Sequence, residues 1–419
     1  MNILNLIIGI TSALCALFGL HYVLIAILGG FRKARLHPKQ PPKHRIAAVI
    51  AARNEEEVIG YLVESLKRQD YPEELFDVYV VPNNCSDDTH GAALRAGAKV
   101  LTCTREVHSK GEVMRFAFDE LLNGEAQYDA FCIFDADNIV DPGFFQAVNN
   151  ALCQGAQIAQ GYRDSKNPGD SWIAGCVSMF YWGMNRLYNR ARNALGLSAA
   201  LNGTGFMVSA GLIRKYGWDT SSLTEDLEFT AQCAIHGVKV HWMNDAITYD
   251  EQPVTLKDSF TQRRRWSAGT LQCMKRYWGQ LAQGVFKRRS FACLDMGLLF
   301  MGPVIQLICF VPGILALVQV AISLASGTLD LPALLFGAIA GALGSILGSD
   351  ALGLLICLLE RKTGRVRFSA LANMWIFLLS WVPANLACIF FGIPKWKAIP
   401  HNRGMNLGQI TGKNRDVGA

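Results

Sequence analysis

A chain of 419 residues is long enough for two domains, and 51% hydrophobic content beside a formal net charge of +6 means that its apolar residues are unevenly distributed. The charge does not point to nucleic acid, because much of the basic excess lies at residues 32–45, 287–289 and 361–367, next to apolar stretches where it would meet anionic headgroups. Twelve cysteines without a Cys-x-x-Cys pair argue against a zinc site or a disulfide frame and read as small, reduced core residues.

Residues 4–30 carry no charge and exceed the ~20 apolar residues that a bilayer core needs. A cleaved secretory signal would have a basic start, but here nothing basic precedes Leu4, while Arg32, Lys33, Arg35, Lys39, Lys43 and Arg45 follow before the first acid, Glu55. The positive-inside rule then puts the start outside and the chain from Arg32 in the cytoplasm of a cell-membrane protein. The expected organisation is a transmembrane helix (1–31), a basic linker (32–44), a catalytic domain (45–280), interfacial and transmembrane helices (281–394) and a cytoplasmic tail (395–419).

Between residues 45 and about 159, short apolar runs at 46–52, 76–81, 99–101 and 130–134 predict strands, and 56–68, 87–96 and 110–122 predict helices. Their alternation implies right-handed crossovers and a mostly parallel sheet, hence an α/β fold. The remainder of the domain is less regular, with helices expected at 172–193, 226–236 and 256–277 and a strand at 203–209. Beyond it, 290–301 contains Asp295, is too short to span and is expected to lie at the interface. Two spans follow, at 303–329 and 331–359, the second requiring that Asp350 face protein rather than lipid. Residues 369–394 are expected to form a helix pair, broken at Pro383, that dips into the membrane and returns.

The chemistry gathers at strand ends, which face the ligand crevice of an open α/β sheet. Asn54 and Glu55 follow the first predicted strand, where a side-chain amide and a helix N-terminus suit a nucleotide, although Asn54 could equally be a helix cap. Asn83, Asn84 and Asp87 follow the second. Lys110 begins a helix, where a cation opposes the dipole and a diphosphate would explain its presence. Asp135 and Asp137 point to the same side of an extended segment and suit Mg²⁺ or Mn²⁺ together with phosphate oxygens. Asp226, with Glu225 as the alternative, is positioned to act as general base toward an acceptor hydroxyl. Arg265 would add fixed positive charge at the leaving group, and Trp266 offers a flat face to a sugar ring.

Asn54-Glu55, residues 84–87, Lys110-Gly111, Asp135-x-Asp137, Asn202-Gly203-Thr204-Gly205, Thr224-Glu225-Asp226 and Gln262-x-x-Arg265-Trp266 occur in this order in membrane-embedded family 2 glycosyltransferases, which include cellulose, hyaluronan and chitin-oligosaccharide synthases. The chain resembles that group over residues 45–266. The resemblance implies a GT-A fold, a UDP-sugar donor, an inverting single displacement and dependence on Mg²⁺ or Mn²⁺. By motif it assigns Asn54, Glu55, Asn84, Asp87, Lys110, Asp135 and Arg265 to the donor, Asp135 and Asp137 to the metal, Asp226 or Glu225 to catalysis, and Gly203, Thr204, Gln262 and Trp266 to the acceptor. It departs in having few apolar segments for a polymer channel, so that export of a polymer would call for homo-oligomerisation or a narrow pore. A Trp-containing segment at 395–401 matches the C-terminal return of hyaluronan synthases in placement only.

Three functions are in contention. A processive synthase of a β-linked polysaccharide is the first reading, favoured by Gln-x-x-Arg-Trp. A single-addition transferase acting on a lipid or lipid-linked acceptor is the second. A glycan-binding membrane protein would not need Asp135, Asp137, Asp226 and Arg265 together.

Overall fold

The computed structural model describes residues 2–392 and 403–411, so the segment 395–401 lies outside the described residues. Eight strands form one sheet: β1 (Ile46–Ala52), β2 (Phe76–Pro82), β3 (Lys99–Val100), β4 (Ala130–Asp135), β5 (Ile139–Val140), β6 (Ile158–Ser165), β7 (Phe206–Ser209) and β8 (His241–Asp250), in the order β3-β2-β1-β4-β7-β6-β8-β5. The first four in that order run parallel, β7 is antiparallel to both neighbours, and β6 pairs in parallel with β8. Strand β1 shows why the sheet is covered on both faces. Ile46, Ala48 and Ile50 join a core built with helices Ile59–Lys67 and Phe144–Cys153, whereas Ala47 and Val49 join another containing Phe116, Phe131, Trp218 and Trp242.

The α/β architecture and the first four predicted strands agree with this structure. Strands β6 and β8 were not expected. Gln160, Arg163, Asp164, Ser165, Thr248 and Asp250 are all buried within them, so neither strand alternates apolar with polar residues. The strand expected at 203–209 begins only at Phe206, because Gly203 and Gly205 adopt φ of 87° and 61° and turn the chain first. The helix expected over 172–193 contains a π-helical turn at Met184–Arg190, and the helix expected over 256–277 runs on to Arg288, past the expected end of the catalytic domain.

Four helical stretches are long and apolar enough to cross a membrane: Ile3–Gly30, Phe291–Ala325, Leu331–Leu359 and Met374–Phe391. The first packs against the segment around Ala191, and the Ala191 carbonyl lies 2.3 Å from where a Cβ on Gly29 would stand, so that only glycine permits the approach. Residues 290–301 are not a separate interfacial piece. They begin a continuous helix, Phe291–Ile308, with Pro303 inside it. Asp295 is tolerated there because Arg192 binds it at 2.6 and 2.8 Å and His21 at 2.8 Å, tying the N-terminal helix to the catalytic domain.

The distal pair also differs in its break. Helices Met374–Leu379 and Trp381–Phe391 divide at Ser380, while Pro383 sits in the first turn of the second, where a missing N–H costs nothing. Arg263 of the long helix Leu256–Arg288 stabilises that division, donating to the Phe377 carbonyl at 3.0 Å and to Ser380 Oγ at 2.7 Å. Asp350 is half-buried and accepts from the Trp375 N–H at 3.4 Å, at the start of Met374–Leu379.

Candidate active site

The parallel register sets Asp135 level with Ala51, and Ala51 level with Val81, so the ends of β4, β1 and β2 open together. A cavity of about 590 Å³ begins there and continues between the membrane-type helices. Ser109 caps the helix Lys110–Asn123 and aims Lys110 inward. Its ammonium lies 2.5 Å from Asp135 Oδ1, 2.7 Å from the Gly203 carbonyl and 3.4 Å from Glu225 Oε1. Burial pulls the Lys110 pKa down, but Asp135 and Glu225 outweigh it and the net shift is upward. Lys110 is therefore a fixed cation among carboxylates.

Thr204 does not line the cavity. Its hydroxyl accepts from the Asp135 N–H at 3.0 Å and bonds Asn138, holding the end of β4. Asp137 is buried at the cavity wall and accepts from the Glu251 N–H at 2.9 Å. Asp135 and Asp137 offer hard oxygen ligands, and no third His, Cys, Asp or Glu joins them in a metal-type group among the described residues. That set fits Mg²⁺ or Mn²⁺, which commonly takes one or two carboxylates and completes its shell with substrate phosphates and water.

Glu225 and Asp226 open the helix Glu225–His236. Glu228, fully buried one turn on, accepts from the Ser221 and Ser222 N–H groups at 2.8 and 2.7 Å and from Arg276 and Tyr277, which clamps the loop that delivers Asp226. Enclosure raises the Asp226 carboxyl to about 7, with the charge of Glu225 adding to the effect and Lys110 and Arg265 opposing it. A carboxylate poised near neutrality suits a general base. Gly203, at positive φ, leaves the space in front of it open: a Cβ there would stand 3.6 Å from Asp226 Oδ2.

Farther along, Trp266 stacks on Phe180 at 6.3 Å and packs against Tyr181 at 5.9 Å and Trp381 at 6.1 Å, and all four rings line the cavity. Gln262 and Arg265 line it too. Gln262 Oε1 and Asn202 Nδ2 are buried without a hydrogen-bond partner among the described residues, an orphaned pair that a polar substrate would satisfy.

Of the residues singled out from the sequence, Glu55, Lys110, Asp135, Asp137, Gly203, Glu225, Asp226, Gln262, Arg265 and Trp266 come together in this cavity. Asn54, Asn84 and Asp87 do not line it. Asn54 and Asn84 hold left-handed backbone, at φ of 58° and 49°, and bond Ser86 and the Val107 carbonyl respectively. Asp87 accepts from Thr89 and from the Glu56 N–H, knitting the two loops at the ends of β1 and β2.

Sequence reasoning missed Arg163 and Asp250. They pair inside the cavity wall, the guanidinium lying 3.9 Å from the Tyr181 ring centroid and donating to the Asn202 carbonyl at 2.7 Å. Burial pushes Asp250 up to about 6 despite that partner. An Arg and an Asp in poorly alternating strands gave no signal without the pairing of β6 and β8.

Residues 41–269, more than half of the chain, match the family described as "Glycosyltransferase like family 2". The probable glycosyltransferase YdaM of Bacillus subtilis (strain 168) is 25% identical over 288 residues, covering 64% of this chain and 67% of that protein. A beta-monoglucosyldiacylglycerol synthase of Synechocystis sp. is 28% identical over 248 residues, covering 57% of this chain and 50% of that protein. The chain thus spans about half to two-thirds of the length of these relatives. The mannosyltransferase PcManGT from Pyrobaculum calidifontis, solved in complex with GDP-Man and Mn2+, superposes with a TM-score of 0.61 over 91% of this chain and 99% of that one at 16% identity, a likeness of fold. With its GT-A sheet and the family match over residues 41–269, this chain belongs to the family 2 glycosyltransferases.

Proposed function

We propose that this enzyme transfers a sugar from a nucleoside-diphosphate donor, bound at the ends of β1, β2 and β4, to the hydroxyl of a lipid acceptor that enters between the membrane-type helices. The carrying observation is the continuity of the cavity. Asp135, Asp137 and Asp226 share it with Leu299, Pro303, Leu378 and Trp381, which belong to candidate membrane spans. The relative named beta-monoglucosyldiacylglycerol synthase supports a lipid acceptor.

In this reading Asp226 takes the acceptor proton as the hydroxyl oxygen attacks the anomeric carbon, and the bond to the diphosphate breaks with its electrons leaving on the phosphate oxygen. A Mg²⁺ or Mn²⁺ ion held by Asp135 and Asp137 would supply positive charge to the departing diphosphate. Lys110 and Arg265 add fixed cations at that end. Attack from the acceptor side in one displacement inverts the anomeric centre. Arg403, whose side chain bonds Asp170 at 2.7 Å and whose N–H donates to Glu251 at 3.2 Å, supports a C-terminus on the catalytic side, with Met374–Phe391 entering the membrane and returning.

A second reading is retained because of Gln262-x-x-Arg265-Trp266 on the cavity wall: processive extension of a β-linked polysaccharide. The experiment is product analysis. Full-length enzyme in lipid nanodiscs receives radiolabelled UDP-glucose, UDP-N-acetylglucosamine or GDP-mannose with Mn²⁺. Label in an organic-phase lipid carrying one sugar is expected, whereas label in an aqueous polymer would replace this reading with the second.

A further inference from the structure

The membrane end of the cavity has its own polar apparatus. Leu299, Gly302, Pro303 and Gln306 line it from one face of the helix Phe291–Ile308, spaced i, i+3, i+4 and i+7. Pro303 has no N–H to give the Leu299 carbonyl, so a hydrogen-bond acceptor is left on that face. Opposite, Asn385 is buried and bridges two partners: its Oδ1 accepts from Ser267 Oγ at 2.5 Å, and its amide donates to Gln306 Oε1. With its oxygen so engaged, Gln306, which lines the cavity, has its NH₂ as the group it can donate. Three uncharged polar side chains placed within or beside candidate membrane spans are costly there unless they serve a purpose. Among the described residues, four cations line the cavity: Arg53, Lys110 against Asp135, Arg163 against Asp250, and Arg265, whose charge acts on Asp226.

We infer that Leu299, Gln306, Asn385 and Ser267 form the acceptor subsite, and that it selects an uncharged lipid alcohol whose hydroxyl lies beside an ester carbonyl, not a lipid phosphate. The Gln306 amide donates to the ester carbonyl, Asp226 accepts from the hydroxyl, and the acyl chains leave past Leu299 and Trp381. A phosphate placed against Gln306 and Asn385 would face neutral donors and acceptors inside apolar walls, where its charge is poorly solvated. The inference rests on the lipid-acceptor reading above.

The test compares three acceptors in nanodiscs: dioleoylglycerol, its diether counterpart, which lacks the carbonyls, and a polyprenyl phosphate. Wild-type enzyme should prefer the ester over the ether by about five- to tenfold in kcat/KM, the worth of one hydrogen bond in a dry site, and give little product with the phosphate. Gln306→Leu should bring the ester–ether ratio to about one, the readout being the ratio and not the absolute rate. Gly302→Leu is the companion variant, because Gly302 lines the cavity and a Cβ there meets nothing within 4 Å, so the added side chain starts in open space. It should abolish transfer to dioleoylglycerol and leave calorimetric UDP–Mn²⁺ binding intact. Preference for the polyprenyl phosphate, or an ester–ether ratio that Gln306→Leu does not move, overturns this inference while leaving lipid transfer standing. Transfer to none of the three lipids, with UDP binding retained, overturns the lipid-acceptor reading and this inference with it.

Discussion

The two ends of the cavity are built differently. The end proposed for the donor uses charged side chains at a strand end and two helix starts, where Lys110 lies 2.5 Å from Asp135 and 3.4 Å from Glu225. The end proposed for the acceptor uses rings and neutral amides on helices, with Phe180, Trp266 and Trp381 meeting from three separate helices. The contrast teaches where specificity would reside in the proposed reaction: preorganised charge serves the donor diphosphate, whereas shape and neutral hydrogen bonds decide what the sugar is attached to. Asp226 stands where the two meet.

The largest effect should come from that junction. Asp226→Asn removes the proposed base and is expected to lower kcat by ~10² to 10⁴ while UDP–Mn²⁺ binding measured by calorimetry stays near wild type. Asp137→Ala should do the reverse, losing the metal-dependent part of UDP binding. Loss of UDP binding in Asp226→Asn would erase the division between the ends.

The next effect is in pH. Because Asp226 is raised to about 7, kcat/KM should climb as pH increases through 7 and level off above it, falling about tenfold between pH 8 and pH 6. The same shift acts on stability. The folded carboxyl holds a proton between the ordinary carboxylate range near ~4 and about 7 that the unfolded chain has released, so this group makes stability fall as pH rises through that window. Asp226→Asn should accordingly melt higher than wild type at pH 8, with the difference vanishing near pH 4. Equal melting temperatures at pH 8 would show that Asp226 is not held in the enclosed, protonated state described.

Trp266→Ala sharpens the other side. Loss of the stacked shelf should raise KM for the acceptor by about tenfold and leave the donor KM unchanged. A change in donor KM of similar size would mean that the aromatic wall is not confined to the acceptor end. Smallest of all is Asp350→Asn. Its carboxylate lies against the Trp375 N–H and does not line the cavity, so product yield should stay within about twofold of wild type, the scatter of substitutions away from a core or site.

What was legible in the sequence follows the same division. The donor end is written locally: apolar runs such as Ala130–Asp135 end in carboxylates, and the clusters at Lys110, Asp135 and Asp226 carry their chemistry on their face. Asn54, Asn84 and Asp87 look like ligand residues from the sequence because loop-making and ligand-binding both use short polar side chains. Only the bonds of Asn84 to Val107 and of Asp87 to Thr89 reveal the loop-making role. The other end was legible only in part: Gly203, Gln262 and Trp266 were expected from their motifs and line the cavity, whereas its remaining polar groups were not. Ser267, Gln306 and Asn385 are far apart in the chain and meet only through helix packing, and Arg163 and Asp250 meet only because β6 and β8 pair. The break at Ser380 rather than Pro383 likewise depends on Arg263, a tertiary contact that no local signal carries.

The most direct test of a lipid acceptor in the membrane end of the cavity is photocrosslinking with a dioleoylglycerol analogue bearing a diazirine near its ester, in nanodiscs with UDP and Mn²⁺, followed by peptide mapping. Label is expected on the cavity-facing residues Leu299–Gln306 and Trp381–Asn385, and excess unlabelled dioleoylglycerol should suppress it. Label confined to the outward-facing surface of Leu331–Leu359, insensitive to that competitor, would contradict the account.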